Sequence, residues 1–344
     1  MKGSVMVSPG PKSLPLRAGQ QLSRLGVMAI ACAIAGALPL SVATPAAAAS
    51  GPSMVATIPV GANPVAVAAN PETQTVYVGH VNENTVDVID ERRRTVTATI
   101  PVNPRPTAVA VNPATNAVYV TNDDSNTITV IDGNTNRATA TISGLVRPSA
   151  VAANPQTNMV YVTNFSGNTL SVIDGRTNTV TAAIAVGTFP VGVAVNPTSN
   201  MIYVTNQRDN TVSVVNGSTN TVTATISVGL NPIGVAVNPV TNTVYVAVLG
   251  DSVVSVLNGL TNTVTTTVSV GYRPFGIATN PRTNRVYVTN NVVDTVTILD
   301  GQTNTLTATL PVGPVPEGVA VDPRTNTVYV ANYGSNSVSV IRDR

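Results

Sequence analysis

The 42 residues from Pro190 to Asn231, PVGVAVNPTSNMIYVTNQRDNTVSVVNGSTNTVTATISVGLN, decide the fold of this chain because they recur along most of its length. A tyrosine occupies the same place in seven copies, each 42 residues from the next without insertion or deletion: Tyr77, Tyr119, Tyr161, Tyr203, Tyr245, Tyr287 and Tyr329. Repeats of this length, built from short apolar runs and turn signals, are typical of propeller blades. We therefore predict an all-β fold, a seven-bladed β-propeller.

Each repeat divides into four antiparallel strands, which in the quoted copy are predicted at Val191–Asn196, Met201–Asn206, Thr211–Asn216 and Thr221–Val228. All are rich in Val, Ile and Thr, which suit a pleated surface. Asn-Pro-x-Thr-Asn turns, as at residues 154–158, and Asp-Gly-x-Thr-Asn turns, as at residues 174–178, predict tight hairpins after the first and third strands. These two hairpins define one face of the ring, the hairpin face. The second-to-third loops and the crossovers between blades define the other, the crossover face.

The last repeat lacks its fourth strand, since it ends after Ser337–Arg342. Near the start of the chain, residues 57–60 (TIPV) repeat residues 99–102 of the first blade. We predict that the N-terminal strand Met54–Val60 completes the last blade, which closes the ring and removes two open sheet edges. Small residues such as Gly192 and Ala194 place the first strand of each blade innermost, where space is least.

Residues 1–49 differ in composition from the rest. An uncharged stretch, Leu25–Val42, and a small-residue run, Ala46–Ala49, follow four basic residues: Lys2, Lys12, Arg17 and Arg24. This pattern predicts a cleaved signal peptide over residues 1–49, which leaves residues 50–344 as a secreted or cell-surface propeller with no membrane segment. A retained anchor is the alternative, because the uncharged stretch approaches the roughly 20 residues that span a bilayer.

The predicted mature chain has little reactive chemistry. It contains no lysine and no cysteine, and its 14 arginines against 16 acidic residues give a net charge of −2. Such a chain has no general positive field, so we expect no nucleic-acid partner. His80 is its sole histidine, whereas metal sites need three or four convergent donors. No phosphate loop or haem-attachment motif occurs, and we expect no metal, no cofactor and no catalytic residue.

One tetrapeptide connects the repeat with a known family. Tyr-Val-Thr-Asn occurs at residues 119–122, 161–164, 203–206 and 287–290, beside the turns described above. The chain resembles the YVTN-family β-propeller repeat proteins over essentially its whole mature length. The resemblance implies an exported or surface-layer-type protein of bacteria or archaea, in a family where many members have no assigned chemistry. Gly79-His80 and Ala247-Val248 replace Thr-Asn in two repeats, through sequence drift or at a local site.

Aromatic residues outside the repeated tyrosines all fall in second-to-third loops or at crossovers, and therefore on the crossover face. Three arginines share one equivalent crossover position on that face. Aromatic and arginine side chains are enriched in binding hot spots, and variation on a rigid scaffold is typical of ligand surfaces. The predicted ligand-binding residues are Arg105, Arg147, Phe165, Phe189, Arg208, Tyr272, Arg273, Phe275 and Tyr333.

The alternative for this surface is structural filling. Phe165 and Phe189 would then pack on each other, and Arg147 would pair with Asp123 and Asp124, an exposed contact of small energetic value.

We predict a secreted, non-enzymatic and monomeric binding scaffold whose partner is an extracellular protein, a peptide or a cell-wall glycan. One alternative is an enzyme similar to propeller lactonases of the phosphogluconolactonase type, or to lyases that use a metal and a histidine near the axis. The lone histidine counts against it. The other alternative is a structural component of the cell surface.

Overall fold

A computed structural model describes residues 51–344, and the predicted signal peptide lies outside the described residues. Seven four-stranded antiparallel sheets form a ring of blades. Within residues 51–344 there is no α-helix, and so none that could cross a membrane. The predicted seven-bladed β-propeller is confirmed.

The strands follow the predicted order. Blade 7 combines strands from both ends of the described chain, β1 (Ser53–Pro59) with β26 (Pro316–Asp322), β27 (Thr327–Asn332) and β28 (Ser337–Arg342), and a 3-10 turn, η1 (Tyr333–Ser335), joins β27 to β28. Blades 1 to 3 contain β2 (Pro64–Asn70), β3 (Thr75–His80), β4 (Thr85–Asp90) and β5 (Thr95–Pro101); β6 (Pro106–Asn112), β7 (Ala117–Asn122), β8 (Thr127–Asp132) and β9 (Arg137–Ile142); β10 (Pro148–Asn154), β11 (Met159–Asn164), β12 (Thr169–Asp174) and β13 (Thr179–Ala185). Blades 4 to 6 contain β14 (Pro190–Asn196), β15 (Met201–Asn206), β16 (Thr211–Asn216) and β17 (Thr221–Ser227); β18 (Pro232–Asn238), β19 (Thr243–Val248), β20 (Val253–Asn258) and β21 (Thr263–Ser269); β22 (Pro274–Asn280), β23 (Arg285–Asn290), β24 (Thr295–Asp300) and β25 (Thr305–Pro311).

The first strand of every blade is innermost, as predicted, and contacts the first strands of both neighbouring blades. The third residue of these strands is always alanine or glycine: Ala66, Ala108, Ala150, Gly192, Gly234, Gly276 and Gly318. A Cβ added to Gly234 would lie 2.5 Å from the carbonyl oxygen of Phe275 in the next blade. Small residues are therefore required because the backbones of adjacent inner strands approach closely.

The repeated tyrosines form the core between blades. All seven are at most 1 % exposed, and each packs against apolar side chains of the following blade. Tyr203, for example, lies among Val235, Val244 and Val246, and its hydroxyl donates to the Gly259 carbonyl at 3.5 Å. Because a large buried side chain recurs at every interface, one 42-residue pattern builds all the blades.

The ring closes where the sequence predicts. Strand β1 pairs antiparallel with β28, from Ser53 opposite Arg342 to Pro59 opposite Ser337. Ile58 is 2 % exposed and packs against Val338, Val340 and Tyr329. The N-terminal strand is therefore the fourth strand of blade 7.

On the hairpin face, six of the seven blade interfaces contain the same amide hydrogen bond. Asn70, for example, donates to Asn116 at 2.7 Å, and the pairs that repeat this contact are Asn112–Asn158, Asn154–Asn200, Asn196–Asn242, Asn238–Asn284 and Asn280–Asn326. At the seventh interface, between blades 7 and 1, Asp322 and Gln74 occupy the two positions. This interface is called the seam below.

Candidate functional site

A cavity of about 790 Å³ lies on the ring axis at the crossover face. Its wall contains the second residue of all seven innermost strands: Val65, Thr107, Ser149, Val191, Ile233, Phe275 and Glu317. Arg105 and the loop residues Asn82, Gln207 and Tyr333 complete the crossover-face end. Because the walls are strands of a closed ring, the cavity exists before any ligand binds.

The two hydroxyl groups in this ring of seven are already engaged. Thr107 donates to the Pro148 carbonyl at 3.2 Å, and Ser149 donates to the Pro190 carbonyl at 2.9 Å. Both bonds join one inner strand to the next. These side chains therefore stabilise the ring and offer little to a ligand.

Glu317 is the one ionisable residue in the ring of seven, and its immediate neighbours there are Phe275 and Val65. Within residues 51–344 its carboxylate has no ion-pair partner and no hydrogen-bond donor, although its backbone carbonyl accepts from Thr289 at 2.7 Å. Burial raises the pKa of the Glu317 carboxyl to about 7. An unpartnered carboxyl with a perturbed pKa in a cavity is typical of a functional group.

Four of the nine predicted binding residues form a stack on the crossover face. The rings of Phe165 and Phe189 are nearly parallel, with centroids 4.6 Å apart. Arg147 lies over Phe165 at 5.3 Å and Arg208 over Phe189 at 5.6 Å. Arg147 also makes two hydrogen bonds of 3.1 Å with Asp123. The packing and pairing proposed as structural filling are thus both present.

Arg105 and Arg273 occupy equivalent crossover positions but differ in their contacts. The Arg105 guanidinium lies 3.3 Å from Asp123 and 3.4 Å from Asp124. In the part of the chain that the structure describes, the side chains of Arg273 and its neighbour Tyr272 make no hydrogen bond and no ion pair. Tyr272 is 59 % exposed. These two residues form the unpaired part of the predicted surface.

The crossover position itself has an unusual backbone. All seven of its residues have a positive φ, between 50° and 58°: Asn63, Arg105, Arg147, Phe189, Asn231, Arg273 and Val315. The equivalent left-handed position in the first hairpin is asparagine in six blades and glutamine in one. Asparagine tolerates this region, whereas bulky or β-branched residues are strained there. Five of the seven crossovers therefore carry a side chain that backbone preference does not favour.

The structure divides the nine predicted residues into three groups. Arg105, Phe275 and Tyr333 line the axial cavity. Arg147, Phe165, Phe189 and Arg208 form the stack, and Tyr272 and Arg273 are exposed. Glu317 is not among the nine predicted residues. Its signal is the register, because residues 42 apart from Glu317 are uncharged in the other six blades.

His80, the sole histidine of the described residues, has an environment that the sequence does not predict. It is fully buried, and its Nε2 lies 3.1 Å from Oδ2 of Asp87. Five of the other six blades place an asparagine and a hydroxyl residue at these positions, as in Asn164 and Ser171, which bond at 2.8 Å, and blade 5 has Val248 in place of the asparagine. Although burial opposes it, hydrogen bonds from His80, Thr99 and Gly61 hold the pKa of Asp87 below its usual range. His80 does not line the axial cavity.

Two further features of residues 51–344 bear on function. No group of three or more His, Cys, Asp or Glu side chains is placed to hold a metal ion.

A smaller depression of about 360 Å³ lies on the hairpin face beside Arg324 and Glu72, which pair with each other at 2.7 Å. The other two charged residues of its lining also have partners, since Asp90 pairs with Arg93 and Arg92 donates to Gln74, whereas the Glu317 carboxylate has none within residues 51–344.

No protein-family model matches the chain, and no curated protein matches it. Among solved structures, the fold is similar to that of a chain of Kuenenia stuttgartiensis hydrazine synthase, with a TM-score of 0.75 and 22 % sequence identity. The match covers 81 % of this chain and 95 % of that chain. The likeness supports the propeller fold and nothing finer. The YVTN resemblance and the nine binding residues stay predictions.

Proposed function

We propose that this chain is a secreted, non-enzymatic binding module of the YVTN type, whose ligand binds at the crossover face and enters the axial cavity. The observation that carries the proposal is the cavity, about 790 Å³ in volume and lined by all seven blades. Sites for small ligands are typically roughly 300–1,000 Å³, concave and pre-formed, with a few polar groups among apolar walls. The axial cavity fits that description.

The difference between the two faces adds support. The hairpins have asparagine at all their left-handed positions except Gln74 and Arg94, whereas five of the seven crossovers hold arginine, phenylalanine or valine despite the backbone cost. Strained residues persist where the surrounding structure holds them, and they cluster at ligand sites. Arg105, one of these five crossover residues, lines the axial cavity.

A comparison of matched variants tests this assignment. The full chain is expressed, purified and screened by thermal melting against organic ions, peptides and glycans, because a ligand that binds only the native state raises Tm by mass action. We expect at least one ligand to raise Tm, and we expect this rise to be smaller in Arg273→Ala and in Phe275→Ala. The control is Arg176→Ala, which removes an exposed arginine from the hairpin face. Ligand shifts lost in Arg176→Ala and retained in both crossover-face variants would contradict the proposal.

An enzyme is the second candidate, and one observation favours it. A carboxyl with a pKa of about 7, as burial produces for Glu317, is suited to general acid–base catalysis at neutral pH. The histidine-dependent version has less support, because His80 lies outside the cavity wall. A panel of lactones incubated with the protein and with Glu317→Gln separates the two candidates. Turnover that the substitution abolishes would favour the enzyme.

A further inference from the structure

We propose that the axial cavity selects a small organic cation, with an ammonium group on an apolar stem, and that the Glu317 carboxylate is its counter-ion. This inference rests on the proposed function, since it names the ligand class of the same cavity. It is carried by the charge of the cavity wall, the chemistry of the neighbouring side chains and the cavity's size.

The charge of the wall is not compensated from within. Among the described residues that line the cavity, only Glu317 and Arg105 are charged. The Arg105 guanidinium is held by Asp123 and Asp124, at 3.3 and 3.4 Å. Glu317 has neither an ion pair nor a hydrogen-bond donor for its carboxylate within residues 51–344. A cationic ligand would supply the missing partner, and charge-assisted hydrogen bonds to a carboxylate are the strong ones.

The walls around Glu317 suit the rest of such a ligand. Phe275 and Val65 flank it on the adjacent inner strands, and Tyr333 lies at the crossover-face end. Aromatic faces attract ammonium groups, and more strongly when water is excluded. The hydroxyls of Thr107 and Ser149 bond to backbone carbonyls, and Asn82 donates to Asn63 at 2.9 Å. Few free polar groups remain, so a polyhydroxylated sugar fits less well than an amine on an apolar stem.

Proton linkage gives the proposal a second signature. Burial raises the pKa of Glu317 to about 7, so its carboxyl keeps a proton over part of the neutral range. An ammonium ligand binds the ionised form, and binding therefore releases a proton at pH values below 7. The other titratable groups on the wall are Arg105 and Tyr333. From pH 6 to pH 8 the ionised fraction of a group with this pKa rises about tenfold, and the affinity should rise with it.

The experiment is isothermal titration of the full chain with 2-phenylethylamine, its uncharged analogue 2-phenylethanol and the anion 3-phenylpropionate, at pH 6 and pH 8. We expect the amine alone to bind, about tenfold more tightly at pH 8. Glu317→Gln, which keeps the size of the side chain, should weaken binding at least tenfold and remove the pH dependence. Glu83→Gln, at an exposed glutamate in a loop of the same face, should change neither the affinity for the amine nor its pH dependence.

The outcomes separate this inference from the proposed function. Equal binding of the alcohol and the amine, or full amine affinity in Glu317→Gln, would overturn the inference and leave the cavity as a binding site. If no compound of the wider panel binds at the crossover face, both proposals fail. A thermal melt of each variant shows that it is folded, so lost binding cannot be attributed to unfolding.

Discussion

Blades 1 and 7, which meet at the seam, differ from the five blades between them. At each of the six other interfaces, an asparagine of one blade donates to an asparagine of the next. At the seam, Asp322 and Gln74 stand at those positions, and Glu91 replaces a turn glycine. Asp322 and Glu91 are 0 % and 7 % exposed, so two carboxyls are buried at the one interface that joins the ends of the repeat array.

This difference shows how one fold can combine a repeated structural scaffold with a few buried ionisable side chains. The repeats supply rigidity, because the six interfaces other than the seam reuse the same tyrosine and the same amide bond. The two carboxyls whose pKa is raised by burial, Glu91 in blade 1 and Glu317 in blade 7, both belong to the blades that meet at the seam. The buried polar residues His80, Asp87 and Asp322 belong to the same two blades. A binding site built from such departures is positioned by the repeats and does not have to be stable alone.

The largest expected effect on stability comes from removing the N-terminal strand of blade 7. Deleting residues 50–61 removes β1, exposes the edge of β28 and leaves the apolar contacts of Ile58 unfilled. We expect the free energy of unfolding to fall by at least about 4 kcal/mol, since burying one such side chain already contributes about 2–5 kcal/mol in substitution experiments. Urea unfolding followed by circular dichroism measures the loss.

A pair of point variants tells whether β1 is an ordinary blade strand. Ile58→Ala and Ile100→Ala remove the same side chain at equivalent positions of blade 7 and blade 1. Ile58 is 2 % exposed and Ile100 is 3 % exposed. Equal costs of about 2–5 kcal/mol are expected if β1 packs like any fourth strand. An unfolding free energy that stays unchanged after deletion of residues 50–61 would mean that the ring does not need this strand.

The second effect is a pH dependence of the free energy of unfolding, which arises from a buried glutamate at the seam. Burial, and then the neighbouring Asp322 carboxyl, raise the pKa of Glu91 to about 8, with a hydrogen bond from Tyr329 acting in the opposite direction. The folded protein therefore keeps a proton that the unfolded chain, with an ordinary glutamate pKa near 4.5, releases. The stabilisation is complete below about pH 4.5 and is lost as the pH rises to about 8. The loss should be on the order of 3 kcal/mol.

The variant Glu91→Gln tests this assignment, because an amide can donate to Asp322 at every pH. The plot of unfolding free energy against pH should become flatter between pH 5 and 8, with a smaller slope remaining from Glu317. Glu83→Gln, at an exposed glutamate, should leave the plot as it is in the parent protein. A parent protein whose stability rises over this range would show that Glu91 is not held protonated.

The fold could be predicted from the sequence almost completely. A 42-residue period without insertions implies identical blades, and the match of residues 57–60 to residues 99–102 identifies the missing strand. In the quoted repeat, predicted and observed strand ends differ by at most one residue. The division into two faces also follows, since antiparallel succession alone determines where each loop lies.

The site could be predicted only in part, because contacts between blades depend on distances that the repeat does not encode. The Phe165–Phe189 stack and the Arg147–Asp123 pair were among the alternatives considered. The burial of His80 was missed, although Asp87 stands seven residues later, where other blades have a hydroxyl partner for asparagine. Glu317 was missed because the predicted surface was built from aromatic and arginine residues, whereas Glu317 is a single glutamate at the start of an inner strand.

The smallest expected effect concerns the crossover into the last blade. Val315 is β-branched and has a φ of 51°, whereas the equivalent Asn231, at the crossover into blade 5, has a residue type that tolerates this region. Val315→Asn should therefore stabilise the protein by about 1 kcal/mol, and the reverse change, Asn231→Val, should destabilise it by a similar amount. Chemical denaturation of both variants measures the two changes. Because Val315 lies two residues before Glu317, a Val315→Asn protein that is more stable but binds the amine less well would indicate that the strained crossover orients the carboxylate. Destabilisation by Val315→Asn would instead show that side-chain packing at this crossover outweighs the backbone preference.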